Sequence, residues 1–189
     1  MKWTPCIISS KNFKQEHLYD LAQNKYSAVV IDNFVDEEYC KIASSNFEAH
    51  SDLLEYKQAN VTTKYLGHSL VELAAQPELY FAKVPDMFSE VRAVFTTPDE
   101  VFPTPLELVM RLINQAWQPG VKVAEESGKH YFAGIMRAVK RSPLHNDWAP
   151  RDFYSWSIGK ITSQFTWNLY LRSPSDNSSG LVKYTIKPG

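Results

Sequence analysis

The stretch SPLHNDWAP, Ser142 to Pro150, sets a histidine and an aspartate one residue apart, after a Pro-led turn and before a tryptophan. On an extended chain, side chains two positions apart point to the same side. His145 and Asp147 can then offer an imidazole nitrogen and a carboxylate oxygen to one ion. With a second histidine, such a pair makes the facial triad of non-haem iron(II) sites, which leaves coordination positions open. The tripeptide equally describes a turn in which Asp147 accepts backbone N–H bonds and His145 is half exposed. The flanking sequence has to separate the two.

Its bulk properties narrow the field. At 189 residues a single domain over 1–189 is expected, and 44% hydrophobic and 13% aromatic content suffice for a packed core. The net charge is −1, with acidic and basic residues interleaved and no basic stripe to neutralise phosphates, so nucleic-acid binding has no electrostatic support. Cys6 and Cys40 form no CxxC pair and no disulfide framework, which suits a reducing compartment. The N-terminal apolar run is too short for a signal-peptide core or a membrane span. A cytoplasmic protein with no membrane partner is the expectation.

Helical signals dominate to about residue 120. Lys14 to Asn24 reads as a short amphipathic helix, and SAVVIDNF, from Ser27, as a β-branched strand. Asp36 then offers an N-cap ahead of Cys40, Ala43 and Phe47 at helical spacing. A further helix is expected to start near Pro85, with Met87, Phe88, Val91, Val94 and Phe95 as its apolar stripe. In TPLELVMRLINQAWQPG, Thr104 caps, Pro105 takes the first helical position, Glu107 completes a capping box and Pro119-Gly120 ends the run.

Over 121–189 the period falls to two. KHYFAGIMRAVK is expected to be a strand with Tyr131, Ala133, Ile135, Arg137 and Val139 on one side. QFTWNLYLR is expected to be another, with Phe165, Trp167, Leu169 and Leu171 opposite Gln164, Thr166, Asn168, Tyr170 and Arg172. LVKYTIK follows the turn-rich SPSDNSSG as a third. Helices followed by antiparallel-type strands make an α+β pattern, without βαβ alternation. Polar residues on both strand faces suit a barrel that encloses a ligand.

This order, with AVVIDNFVDEEYCKIA as entry strand and capped helix, resembles the iron(II)/2-oxoglutarate-dependent oxygenases. TTKYLGHSLVEL (Thr62 to Leu73), the block from Pro77 to Trp117 and YFAGIMRAVKRSPLHND (Tyr131 to Asp147) resemble a subgroup containing N-succinyl amino acid hydroxylases and indole-alkaloid halogenases. The resemblance implies N-terminal helices packed on a double-stranded β-helix, a jelly-roll or cupin-like core. It also implies Fe(II) as cofactor, 2-oxoglutarate and O2 as cosubstrates, and hydroxylation of an aliphatic C–H in a small molecule, such as an amino acid derivative. His145 and Asp147 would be the metal ligands. An aspartate at the second position favours hydroxylation, because the halogenases carry a small residue there. Thr62, Thr63 and Ser142 would fall where related enzymes line the substrate pocket.

The chain departs from that pattern after the motif. It has no histidine beyond His145, and its later cations are Arg151, Lys160, Arg172, Lys183 and Lys187, so the distal histidine and the 2-oxoglutarate-clamping arginine are unmatched. The β-helix is expected to be incomplete, with open strand edges, and the chain to be a truncated product or to swap strands in a homo-oligomer. A non-catalytic cupin-like remnant that binds a ligand or a partner is the alternative. A hydrolase is disfavoured by the lack of a Gly-x-Ser-x-Gly elbow, an HExxH or a His/Cys cluster.

Overall fold

The computed structural model describes residues 4–58, 61–139 and 147–172. Strand β1 (Cys6–Ser9) pairs in parallel with β2 (Val29–Asp32), Cys6 opposite Val29 and Ser9 opposite Asp32. Helix α1 (Gln15–Ala22) lies between them in the chain. One βαβ unit therefore opens the chain, against the expectation of no such alternation. Parallel pairing requires a crossover, and the amphipathic α1 supplies it.

Helix α2 (Glu37–Ala49) starts where Asp36 Oδ1 accepts the Tyr39 N–H at 2.8 Å, satisfying one of the otherwise unpaired first-turn donors. It buries Tyr39, Ala43 and Phe47. Strands β3 (Leu54–Gln58) and β4 (Val61–Leu66) form an antiparallel hairpin, and β7 (Met136–Ala138) pairs antiparallel with β4, Leu66 opposite Met136. The short helix α3 (Leu70–Leu73) follows β4.

Helix α4 (Pro77–Val94) is the spine of the molecule. Tyr80, Val84, Met87, Val91 and Val94 recur every three or four residues, and all are buried. The N-terminal half packs with Tyr131 and Trp156, and the C-terminal half with α2, Leu66 and Met136. The helix thus begins two turns before Pro85. Pro85 is exposed on the solvent face inside it, where loss of one backbone bond (about 3 kcal/mol) is outweighed by the apolar face on either side. Helix α5 (Pro105–Ala116) has the expected start: Thr104 Oγ1 accepts the Glu107 N–H, and Glu107 Oε2 accepts the Thr104 N–H at 2.7 Å.

The second half contains less sheet than its period suggests. Residues from Lys129 onward do not form one strand: β5 (Glu125–Glu126) and β6 (Lys129–His130) make a two-stranded hairpin, and pairing resumes only at β7. Gly134, at φ +103, lies in the gap, a conformation that interrupts the pleat and resets which residues face inward. Met136 is buried and Arg137 exposed, so Tyr131 and Arg137 do not share an environment. The expected strand at Gln164–Arg172 forms no ladder among the described residues. Phe165 and Trp167 are exposed while Leu169 and Leu171 are half-buried, because alternation in sequence makes a strand only when a partner edge is present. The expected LVKYTIK strand lies outside the described residues.

The architecture is α+β, with helices against small sheets of two or three strands. Among the described residues no helix is long and apolar enough to cross a membrane.

Candidate functional site

The segment that carries Asp147 is built from three anchors. Asp147 follows β7 in the chain after residues 140–146, so His145 and Ser142 of the sequence motif lie outside the described residues. Asp147 itself is exposed. Next to it Trp148 is extended (φ −130, ψ 100), and its carbonyl accepts the N–H groups of Arg151 and Asp152 to start the single turn α6 (Ala149–Asp152). Arg151 grips Asp152 through two nitrogens at 2.6 and 2.8 Å. That bond holds the Asp152 carboxyl below its ordinary range and the Arg151 guanidinium above its own, with the Asp147 charge adding to the latter.

The first anchor is Gln164. Its Nε2 donates to the Asp147 carbonyl at 2.9 Å and its Oε1 accepts from the Ala149 N–H at 3.0 Å. The second is Trp156, buried among Tyr80, Phe81 and Tyr131 with ring centroids 5.8–6.4 Å apart. The third is Glu126 on the β5–β6 hairpin, whose Oε2 accepts the Ser157 N–H at 2.7 Å and also the Tyr131 hydroxyl. Those donors lower the Glu126 carboxyl. Burial, with the Glu126 bond second, pushes the Tyr131 hydroxyl up to about 12.

Thr62 and Thr63 both lie on β4, the strand that pairs with β7, and therefore near the strand that leads to the motif. As neighbours on a strand they face opposite ways: Thr63 is buried and Thr62 exposed. The four upstream histidines have local roles. His17 Nδ1 accepts the Lys14 N–H and His50 Nδ1 the Asp52 N–H, while His68 and His130 sit 3.6 and 3.5 Å from Glu72 and Glu125. Cys6 and Cys40 are free thiols.

The donor chemistry of a carboxylate and an imidazole suits a first-row divalent ion, and Asp147, the described half of that pair, is exposed. Among the described residues no three His, Cys, Asp or Glu side chains converge to hold a metal ion. A groove of about 730 Å³ lies between α4 and the start of α5, beside Gly134, and a hollow of about 220 Å³ lies between α5 and Trp167. Asp147 lines neither. Nothing local in the sequence marks Gln164, Glu126 or Trp156 as supports of this segment. Only the aromatic character of Trp156 hinted at its burial.

The chain is similar to the leucinostatins biosynthesis cluster protein S of Purpureocillium lilacinum, 43% identical over 67 residues. That stretch is 34% of this chain and spans 28% of the relative's length. No protein-family model and no solved structure matches the chain.

Proposed function

We propose that this chain belongs to an iron(II)- and 2-oxoglutarate-dependent oxygenase that hydroxylates an aliphatic C–H of a small molecule in a biosynthetic pathway. The observation that carries the proposal is Asp147: an exposed carboxylate two residues after His145, on a segment that follows the last strand of the β3–β4–β7 sheet and is braced from several sides. His145 and Asp147 would hold the metal, and β3, β4 and β7 would form part of a jelly-roll wall within a single domain. A ferrous ion with 2-oxoglutarate supplies O2 activation and oxidative decarboxylation. The chain's own contribution would be to present the Asp147 carboxylate and the His145 imidazole to that ion. The relative's name, which places it in a biosynthesis cluster, supports a role in small-molecule synthesis. This sequence has no histidine after His145 to act as the third ligand.

Anaerobic titration with Fe(II) and 2-oxoglutarate tests the proposal. A weak metal-to-ligand absorption band in the visible is expected, and it should vanish in Asp147→Ala and His145→Ala. Absence of the band in the unsubstituted protein would overturn it.

A non-catalytic binding module is favoured instead by the exposed Phe165, Trp167 and Tyr170 on an unladdered stretch, 51%, 40% and 61% accessible. That function would survive Asp147→Ala unchanged.

A further inference from the structure

We infer that Gln164 is a positioning residue for Asp147. The inference rests on the oxygenase proposal for its metal-binding consequence, while its structural core stands on hydrogen bonds alone.

The carbonyl of one residue and the N–H of the residue two further on point to the same side of an extended chain. A neighbouring strand would engage such a pair with its own peptide group. Gln164 does so with a side chain: its amide nitrogen takes the Asp147 carbonyl and its amide oxygen takes the Ala149 N–H, at 2.9 and 3.0 Å. The two bonds require opposite polarity, so the amide has one productive orientation. Together they bracket Trp148 and set the peptide plane from which the Asp147 side chain departs.

Among the described residues, it is Gln164 that makes this pair of bonds. Helix α6 is a single turn, and Trp148, the residue that caps it, makes no side-chain capping bond. Gln164 returns to the start of the segment from 17 residues downstream. Between the two ends, Trp156 in its aromatic nest and Ser157 on Glu126 tie the loop to α4 and to the β5–β6 hairpin. The Asp147 backbone is thus held by closing a loop whose middle is anchored, and Gln164 is the clasp. A ligand that must lose freedom on binding an ion binds it more weakly, so an Asp147 backbone released from the clasp should have lower metal affinity.

The test compares the full protein with Gln164→Met, which keeps the length and loses both bonds, and Gln164→Glu, which keeps the acceptor for Ala149 and loses the donor to Asp147. NMR reads the clasp directly. In Gln164→Met the Ala149 amide should exchange about tenfold faster, and the amide-to-α coupling of Trp148 should move from its extended value toward the averaged one. Co(II) titration, followed by its visible absorption, reads the consequence: affinity about tenfold weaker in Gln164→Met and intermediate in Gln164→Glu, with unchanged far-ultraviolet circular dichroism. An unchanged Trp148 coupling and Ala149 exchange in Gln164→Met would overturn the inference, as would Co(II) affinity equal to that of the unsubstituted protein. If the unsubstituted protein binds no Co(II), the oxygenase proposal fails by itself and the NMR readings still decide the clasp.

Discussion

The Tyr80 hydroxyl accepts the backbone N–H of Phe132 at 2.9 Å, joining the first turns of α4 to the chain between β6 and β7. Phe132 falls where the expected strand is interrupted, so no sheet partner is there to take its N–H. A buried amide without a partner is costly. Tyr80, 1% exposed, removes that cost and holds the aromatic cluster of Tyr131 and Trp156 against the helix. Tyr80→Phe keeps the ring and strands the amide. It should lower stability by about 1–3 kcal/mol, seen as an earlier urea midpoint at unchanged slope. A midpoint equal to that of the unsubstituted protein would show that another group takes the Phe132 N–H.

Gly67, at the end of β4, has φ +79, and a Cβ added there would lie 2.2 Å from Phe132 Cε1. Phe132 is itself packed on Phe88, ring centroids 5.1 Å apart, so it has little room to withdraw. Gly67→Ala should cost about 1–3 kcal/mol from the backbone conformation, with a further penalty from the ring. The double variant Gly67→Ala/Phe132→Leu should recover part of the ring penalty and none of the backbone strain. Thermal melts of the three proteins separate the two components.

Tyr131 and Glu126 make stability depend on pH at both extremes. The Tyr131 hydroxyl is raised from 10.0 to about 12, chiefly by burial, so the neutral form is favoured in the fold. Its contribution is complete below about pH 10 and is lost as pH rises through about 12. The Glu126 carboxyl is lowered from 4.5 by its bonds to Tyr131 and Ser157. Its contribution is complete above 4.5 and is lost as pH falls through the lower folded value. Melting temperature measured against pH should fall on both sides of the neutral range. Tyr131→Phe should flatten the alkaline arm and Glu126→Gln the acid arm. A Tyr131→Phe profile that overlays the original would show that Tyr131 does not control the alkaline loss.

The elements that were legible carry their instructions within a few residues. Asp36 and the Thr104–Glu107 box announce helix starts because an unpaired N–H is satisfied by a side chain only a turn away. The α4 stripe from Met87 to Val94 is legible for the same reason, since one helical face needs no knowledge of what covers it. Helix α4 starts earlier than the sequence suggests because Pro85 is a strong local stop signal, and only packing on both sides of it overrides that signal.

By itself, then, the sequence determined helices α1, α2 and α5, the caps at Asp36 and Thr104, the α+β class and the one-residue spacing of His145 and Asp147. These depend on local periodicity, backbone sterics and near-neighbour hydrogen bonds. Tertiary structure alone decided that residues 131–135 leave the sheet, that Gln164–Arg172 stays unladdered, and that Gln164 closes on Asp147 and Ala149. Strand pairing and loop closure join groups far apart in the chain, and no periodicity within either partner records where the other lies.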